Sequence, residues 1–271
     1  MWRVIYATDF SDHSHRVLNV LMRYKNLIDE VVIVRVINVH KLSLPFVNLK
    51  EAIKKEMNYA QEKILELLDF LEDYGIKSEK FYVPVGDPTE EIVRVAEEEH
   101  ADMIFMGHRG RSLRKILLGS VAEGVSRNSK IPVLVVKDNI DVFKRVLYVH
   151  YPLDSKIPEI LYNIGNVSEK VYITHVVEPM LPPESTKQVF DEIFERSKNV
   201  IESIQKDLES NGINAESQVG IGYPCKEILR IAKNCRATCI ILKIPKFSKV
   251  TDSVLRYSKN SVMIIKGSLC I

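Results

Sequence analysis

The amino-acid sequence predicts an α/β fold class, with two tandem open parallel five-stranded sheets that carry helices on both faces. Three observations lead to this prediction. Short strings of β-branched and aliphatic residues alternate with amphipathic helical segments along the chain. The strings are apolar almost without interruption, which is typical of parallel strands that helices cover on both sides. The whole pattern then begins again after residue 144.

The first half of the chain shows the alternation most clearly. Its predicted strands are RVIYA (3–7), VVIVRVI (31–37), KFYVPV (80–85), DMIFM (102–106) and PVLVV (132–136). The helical segments between them cover roughly residues 12–26, 48–75, 88–99 and 120–129. Asp87 followed by Pro88 is a typical start for the third of these helices. Strands and helices that alternate in this way indicate βαβ units and a parallel sheet.

The second half repeats the first. RVLYV (145–149) matches the first strand of the chain. The segment GYPCKEILRIAKNCRATCIIL (222–242) aligns without gaps with GDPTEEIVRVAEEEHADMIFM (86–106). A repeat of this length predicts tandem domains rather than a solenoid, and we place the domains at residues 1–138 and 143–271.

The bulk composition narrows the class of protein. The chain has 271 residues, of which 46% are hydrophobic, and its formal net charge of +2 gives no basic field for binding nucleic acid. No apolar run approaches the length of a membrane span, and the first residues lack the features of a signal peptide. We therefore expect a cytoplasmic protein with no membrane and no nucleic-acid partner.

The cysteines give little sign of a metal site. All four of them, Cys225, Cys235, Cys239 and Cys270, lie in the last fifth of the chain. Cys235 and Cys239 form a C-x3-C motif, but no second pair or nearby histidine completes four zinc ligands. We expect small buried side chains rather than a zinc site or a disulfide framework.

Two loops that follow strand ends are the candidate binding segments. ATDFSD (7–12) follows the first strand, and MGHRGRSLRKILLGS (106–120) leads from the fourth strand into a helix. In an open parallel sheet, ligands bind beyond the carboxyl ends of the strands where the strand order reverses, so both loops could face one crevice. Glycines allow unusual backbone angles and close approach of N–H groups, and a helix start attracts anions. This combination suits a phosphate.

Simpler interpretations of these residues stay open at this point. Ser120-x-x-Glu123 fits a capping box, and Asp9 could cap the following helix instead of accepting a hydrogen bond from a ribose hydroxyl or a base amine. His13 and His15 lie beside acidic residues, but exposed early turns of a helix explain them better than a metal does. The glycine loop is neither a Walker P-loop nor a G-x-G-x-x-G fingerprint.

Four segments in order resemble a universal stress protein domain over residues 1–137: ATDFSD, RVINV, VGDPTEEIVRVAEEEHADMIFMGHRG and LLGSVAEGVSRNSKIPVLVVK. The resemblance implies an adenine nucleotide alpha hydrolase-like fold with strand order 3-2-1-4-5, and ATP, ADP or AMP as the ligand. ATP-binding members carry G-x2-G-x9-G-[ST] after the fourth strand. Here the spacing is G-x2-G-x8-G-S, one residue shorter.

The resemblance also implies the site residue by residue. Asp9 would engage the nucleoside, the backbone of Val36 would meet the adenine, and amides at the start of the helix near residue 120 would hold phosphate. Mg²⁺ would accompany the phosphates. The implied binding residues are Ala7, Thr8, Asp9, Val36, Met106, Gly107, Gly110, Gly119, Ser120 and Val121.

The second copy lacks these residues, so we expect it to have no nucleotide site. Tyr151 stands at the position of Asp9, and the glycine loop has become KIPKFSKVTDS (243–253), in which Lys243 replaces Gly107 and Asp252 falls near the counterpart of Gly119. A carboxylate there would repel phosphate.

The resemblance implies a stress-response sensor or regulator that binds one adenine nucleotide in its first domain. A slow ATPase that uses the same site, or an interaction scaffold without a ligand, are the alternatives. Family members commonly dimerise by pairing their last strands antiparallel. We expect PVLVV and VMII of this chain to pair within one molecule, and a homo-oligomer could form through other surfaces.

Overall fold

The structure is a computed structural model that describes residues 1–42, 48–109, 118–151, 156–179 and 185–267. Gly110 and Cys270 lie outside the described residues. The chain divides into two compact units, Met1–Ile140 and Asp141–Ile271. Within the described part of the chain, no helix combines the length and the apolarity that crossing a bilayer requires.

The first unit alternates strands and helices as the sequence predicts. Its strands are β1 (Trp2–Ala7), β2 (Ile28–Val34), β3 (Ile37–Asn38), β4 (Lys80–Tyr82), β5 (Val85–Gly86), β6 (Met103–Gly107) and β7 (Val133–Val136). Its α-helices are α1 (Asp12–Arg23), α2 (Val39–Leu42), α3 (Leu49–Asp73), α4 (Pro88–Glu98) and α5 (Ser120–Asn128).

The main sheet of the first unit has the order β4-β2-β1-β6-β7, with every neighbouring pair parallel. This is the order 3-2-1-4-5, so the predicted fold class is confirmed. The order reverses between β1 and β6, where Ala7 lies beside Met106. On its other side Ala7 lies beside Val34 of β2. Ala7 and Val34 end their strands, and Met106 lies one residue before the end of β6, at the place where an open α/β sheet holds its ligands.

The second strand ends earlier than the predicted range 31–37. The backbone N–H of Arg35 donates to the carbonyl of Tyr82 at 3.0 Å, and that of Ile37 donates to Pro84 at 2.8 Å. The chain therefore leaves the main sheet after Val34 and continues as the short pair β3–β5. This departure brings the segment from Arg35 to Asn38 over the carboxyl end of the sheet.

The helix starts follow ordinary capping chemistry. The carboxylate of Asp87 accepts hydrogen bonds from the N–H groups of Thr89 (2.8 Å) and Glu90 (3.2 Å), with Pro88 as the first helical residue of α4. The predicted start of this helix is confirmed.

The second unit repeats the architecture with the order β10-β9-β8-β11-β12, again with parallel neighbours. Its strands are β8 (Arg145–His150), β9 (Lys170–Val177), β10 (Ala215–Ile221), β11 (Cys239–Ile244) and β12 (Ser261–Lys266). Its helices are α6 (Glu159–Val167), α7 (Ser185–Ser210), α8 (Pro224–Asn234) and α9 (Lys249–Tyr257).

Candidate functional site

A cavity of about 520 Å³ lies at the carboxyl end of the first unit's sheet. This volume falls within the range of small-molecule sites, about 300–1,000 Å³. The described residues that line it are Ala7, Thr8, Asp9, Ser14, Arg35, Val36, Ile37, Asn38, Leu42, Glu56, Pro88, Ile92, Met106, Gly107, Arg109, Gly119, Ser120, Val121 and Ala122. Every implied binding residue is among them except Gly110, which the structure does not describe. The cavity thus brings the described implied residues together from four separate parts of the sequence.

The loop between β1 and α1 is shaped by its own side chains. The N–H of Phe10 donates to Thr8 Oγ1 at 3.0 Å, and the N–H of Ser11 donates to Asp9 Oδ1 at 3.1 Å. Phe10 has a φ of 57°, a left-handed conformation that is uncommon outside glycine. The N-cap of α1 is Ser11, whose side chain accepts from the N–H of Ser14. The alternative that Asp9 caps this helix is therefore wrong.

A buried polar network holds that loop in place. Thr8 Oγ1 donates to Ser14 Oγ at 3.1 Å, and Ser14 Oγ donates to the carbonyl of Ser11 at 2.8 Å. The phenol of Tyr6 donates to the carbonyl of Ser14 at 2.9 Å, and burial raises the pKa of that phenol. Buried hydrogen bonds of this kind fix one arrangement, because breaking one leaves an unsatisfied polar group. Asp9 is thus presented to the cavity by a rigid loop.

Position 107 requires a glycine because the backbone of α1 passes close to it, and not because of an unusual backbone angle. A Cβ added at Gly107 would lie 2.6 Å from the carbonyl oxygen and 2.8 Å from the carbonyl carbon of His13. Its φ is not in the left-handed region, since the described glycines with positive φ are Gly75, Gly212 and Gly222. The expectation of an unusual backbone angle is wrong for Gly107. The absence of a side chain lets the end of β6 pack against the first turn of α1.

The start of α5 supplies the donors that a phosphate needs. Gly119 is the N-cap, with φ −74° and ψ 146°, and provides no capping side chain. The first helical bond runs from the N–H of Glu123 to the carbonyl of Gly119 at 3.0 Å. An α-helix leaves its first N–H groups without intrahelical acceptors, which here means those of Ser120, Val121 and Ala122. All three residues line the cavity.

Two expectations about this helix start need correction. The N–H of Gly119 donates to the carbonyl of His108 at 2.8 Å, so this amide is already engaged and Ala122 takes its place as a potential donor. Ser120 is the first helical residue and not the cap, so the capping box with Glu123 does not form. Glu123 instead pairs with Arg127 at 3.2 Å.

On the opposite side of the cavity, Arg35 is a lining residue that the sequence did not single out. Its Nη1 donates to the carbonyl of Val36 at 3.1 Å, and its Nη2 lies 3.8 Å from Glu56 Oε2 of α3. Its guanidinium also lies over the ring of Phe10, 5.4 Å from the ring centroid. Arg35 therefore joins β2, α3 and the β1–α1 loop beside the backbone of Val36. Its only sequence signal is a charge inside an apolar strand.

Basic groups cluster where the chain leaves the end of β6. The rings of His13 and His108 meet edge to face, with centroids 4.6 Å apart. Burial, with smaller contributions from His13 and Arg109, lowers the pKa of His108 to about 4. Burial, followed by Arg109, lowers the pKa of Lys137 to about 8. His108 is 6% exposed and does not belong to the described lining residues, whereas Arg109 does.

The metal interpretations gain no support from the geometry. Across the described ranges, no three potential ligands among His, Cys, Asp and Glu come together. Nδ1 of His15 lies 2.9 Å from the carbonyl of Ser11, within its own helix. Cys225, Cys235 and Cys239 are free thiols, and burial raises the pKa of Cys239 to about 12.

The corresponding region of the second unit has a different chemistry. The α9 helix begins with a capping box in which the side chain of Ser248 accepts from the N–H of Thr251. Ser248 is therefore the counterpart of Gly119, and the expectation that Asp252 stands near that position is wrong. Asp252 pairs with Arg256 at 2.8 Å, as Glu123 pairs with its arginine in the first unit. Nζ of Lys243, at the position of Gly107, donates to the carbonyl of Lys156.

Comparison with known proteins agrees with this architecture. The model of the universal stress protein family matches residues 1–137. Universal stress protein MJ0577 of Methanocaldococcus jannaschii is 36% identical over 153 residues, which cover 50% of this chain and 94% of that protein. Universal stress protein MJ0531 of the same organism is 36% identical over 146 residues, covering 50% and 81%. A solved universal stress protein from Archaeoglobus fulgidus is similar over 98% of this chain and 96% of its own, with 28% identity and a TM-score of 0.72. The chain belongs to the universal stress protein family.

Proposed function

We propose that the chain binds one adenine nucleotide, ATP, ADP or AMP, in its first unit and acts as a sensor or regulator in a stress response. The observation that carries the proposal is the cavity at the carboxyl end of the sheet. It is lined by the carboxylate of Asp9 and by the first turn of α5. A nucleotide needs a hydrogen-bond acceptor for its nucleoside and donors for its phosphates, and these two groups supply both.

The electrostatics of α5 support phosphate as the anionic part of the ligand. The N-terminus of a helix carries a partial positive charge and directs N–H groups outward. Gly119 provides no side chain that competes for these groups. The carboxylate of Asp9 has one oxygen engaged by the N–H of Ser11, which orients it as an acceptor. An ionised acceptor of this kind forms stronger hydrogen bonds with hydroxyl or amine donors than a neutral one.

The same argument supports a second unit without a nucleotide site. At the start of α9, the side chain of Ser248 already accepts from the N–H of Thr251, the counterpart of the Ala122 amide, and Thr251 Oγ1 accepts from the N–H of Ser248. Lys243 replaces the glycine at the end of the strand, and Tyr151 replaces the carboxylate. We therefore propose that the second unit serves as a partner or signalling surface.

Binding without rapid hydrolysis fits the described residues better than an enzyme does. Fast hydrolysis requires a group that orients the attacking water. His108 lies in the glycine loop, but it is buried, and both its N–H and its ring are directed to the carbonyl of Val136, with Nδ1 at 3.3 Å. Mg²⁺ usually binds through the phosphates and one or two carboxylates. We propose that it reaches this cavity with the phosphates.

The proposal is tested first by the ligand that the purified protein carries. Mild denaturation followed by mass spectrometry should release an adenine nucleotide. Titration calorimetry of the full chain should then show that Asp9→Ala weakens binding about tenfold or more, because a charge-assisted hydrogen bond contributes about 1.5–3 kcal/mol.

Asp12→Ala is the matched control, because Asp12 is an exposed carboxylate at the start of α1 that does not line the cavity. It should bind nucleotide like the unmodified chain. Equal affinity of both variants would remove Asp9 from the site, and no detectable binding by the unmodified chain would overturn the proposed function.

A further inference from the structure

Arg109 is a positively charged lining residue of the cavity with no described counter-charge. Its Nε is buried and has no hydrogen-bond partner, and it forms no ion pair with any residue that the structure describes. The side chain as a whole is half-buried, and it lines the cavity together with Gly107 and the first turn of α5. A guanidinium in this position loses part of its hydration without gaining a carboxylate.

The groups next to Arg109 add positive charge or stay neutral. Arg109 contributes to the lowered pKa values of His13, His108 and Lys137, which shows that these bases lie within its electrostatic reach. Nδ1 of His13 is also buried without a hydrogen-bond partner among the described residues. Asp9 and Asp12 raise the pKa of His13, but each of them contributes less than Arg109, which lowers it. The balance at this end of the cavity favours an anion.

We infer that Arg109 makes the site select its nucleotide by the charge of the phosphate chain, with ADP and ATP bound more tightly than AMP and adenosine. This inference rests on the proposed function. The helix amides can hold a single phosphate group, so they do not by themselves distinguish AMP from ATP. The attraction of a fixed guanidinium grows with the charge of the ligand, and a partly desolvated site strengthens it. A planar guanidinium can also bind a phosphate with two parallel hydrogen bonds.

The test compares adenosine, AMP, ADP and ATP as ligands of the full chain by titration calorimetry at one fixed ionic strength. The unmodified chain should bind ATP more tightly than AMP. Arg109→Gln should lower ATP affinity about tenfold or more and leave adenosine affinity within about twofold, because only the charged ligand loses an interaction. Arg109→Lys should recover part of the ATP affinity, since it restores the charge without the planar fork.

Arg127→Gln is the matched control. Arg127 lies on α5, has a side chain that is 49% exposed and pairs with Glu123, so its loss should leave the ATP-to-adenosine ratio unchanged. An equal loss of adenosine and ATP affinity in Arg109→Gln would indicate a structural role and overturn the inference, as would an unchanged ratio. If the unmodified chain binds none of the four ligands, the proposed function fails and the inference fails with it. If the unmodified chain binds these ligands but Arg109→Gln leaves the ratio of ATP affinity to adenosine affinity unchanged, the inference fails and the proposed function remains.

Discussion

Replacing Gly107 by alanine is the sharpest test of how this site is built. The new Cβ would lie 2.6 Å from the carbonyl oxygen of His13 and 3.0 Å from the backbone nitrogen of Ser14. Ordinary contact begins near 3.4 Å, so the end of β6 and the start of α1 must separate by about 0.8 Å. Both contacts are with backbone atoms, which cannot rotate away as a side chain can. Overpacking of this kind costs about 1–3 kcal/mol.

The chain contains a reporter for this change. Trp2 is the single tryptophan, and it is buried in β1 of the first unit. Its fluorescence during urea unfolding therefore follows the first unit. We expect Gly107→Ala to lower the unfolding free energy of this unit by about 1–3 kcal/mol. Nucleotide affinity should also fall about tenfold, because Ser14 anchors the loop that presents Asp9.

Gly86→Ala is the control for this experiment. A Cβ at Gly86 would meet the side chain of Glu91, with its Cγ at 3.1 Å, and a flexible side chain can move aside. The control should cost under about 1 kcal/mol. If Gly107→Ala unfolds at the same urea concentration as the unmodified chain, α1 does not approach β6 as closely as described, and the reasoning is wrong.

Three further predictions follow from other parts of the chain. His108 has a pKa of about 4 in the folded protein, against an ordinary value of 6.5. As the pH falls, the unfolded chain therefore binds a proton at this residue before the folded chain does. The unfolding free energy of the first unit should therefore fall by up to about 3 kcal/mol as the pH drops from 6.5 towards 4, and His108→Asn should flatten this pH dependence of Trp2-monitored unfolding. Calorimetric titration of the full chain should saturate at one nucleotide, and two equivalent sites would contradict a second unit without a binding site. If the predicted pairing of PVLVV and VMII is right, hydrogen exchange should be slow at all amides of residues 133–136 and 262–265, and rapid exchange at every second amide would indicate open edges.

The fold could be predicted from sequence because its signals are local and repeated. Asp87 is a typical N-cap residue and marks the start of the helix over residues 88–99, and each strand is a continuous apolar string. The strand order followed from the resemblance and agrees with the register between β1 and β6. What propensity could not reveal is where the second strand ends. Val36 and Ile37, beyond the end of the strand, are as apolar as Ile33 within it, and the departure depends on hydrogen bonds to Tyr82 and Pro84.

The site was harder to predict because the contacts that shape it join residues that are far apart in the sequence. The clash that requires Gly107 involves His13, a residue far away in the chain, so the sequence suggests only that a glycine is special. Ser120 and Glu123 have the spacing of a capping box, but Gly119 begins the helix one residue earlier and removes that role. Arg35 shows no motif at all, and it enters the site because α3 brings Glu56 to it.

The contrast between the starts of α5 and α9 has a thermodynamic consequence. The side chains of Ser248 and Thr251 cap α9 from within the chain, which stabilises the start of that helix without a ligand. Gly119 has no capping side chain, so the proposed ligand would supply the acceptors for the first N–H groups of α5. Any ligand that binds only the folded form adds stability that grows with its concentration, about 2.7 kcal/mol at a hundredfold excess over Kd. Under the proposed function, the stability of the first unit therefore rises with the nucleotide concentration around it, whereas the start of α9 in the second unit is stabilised by its own side chains.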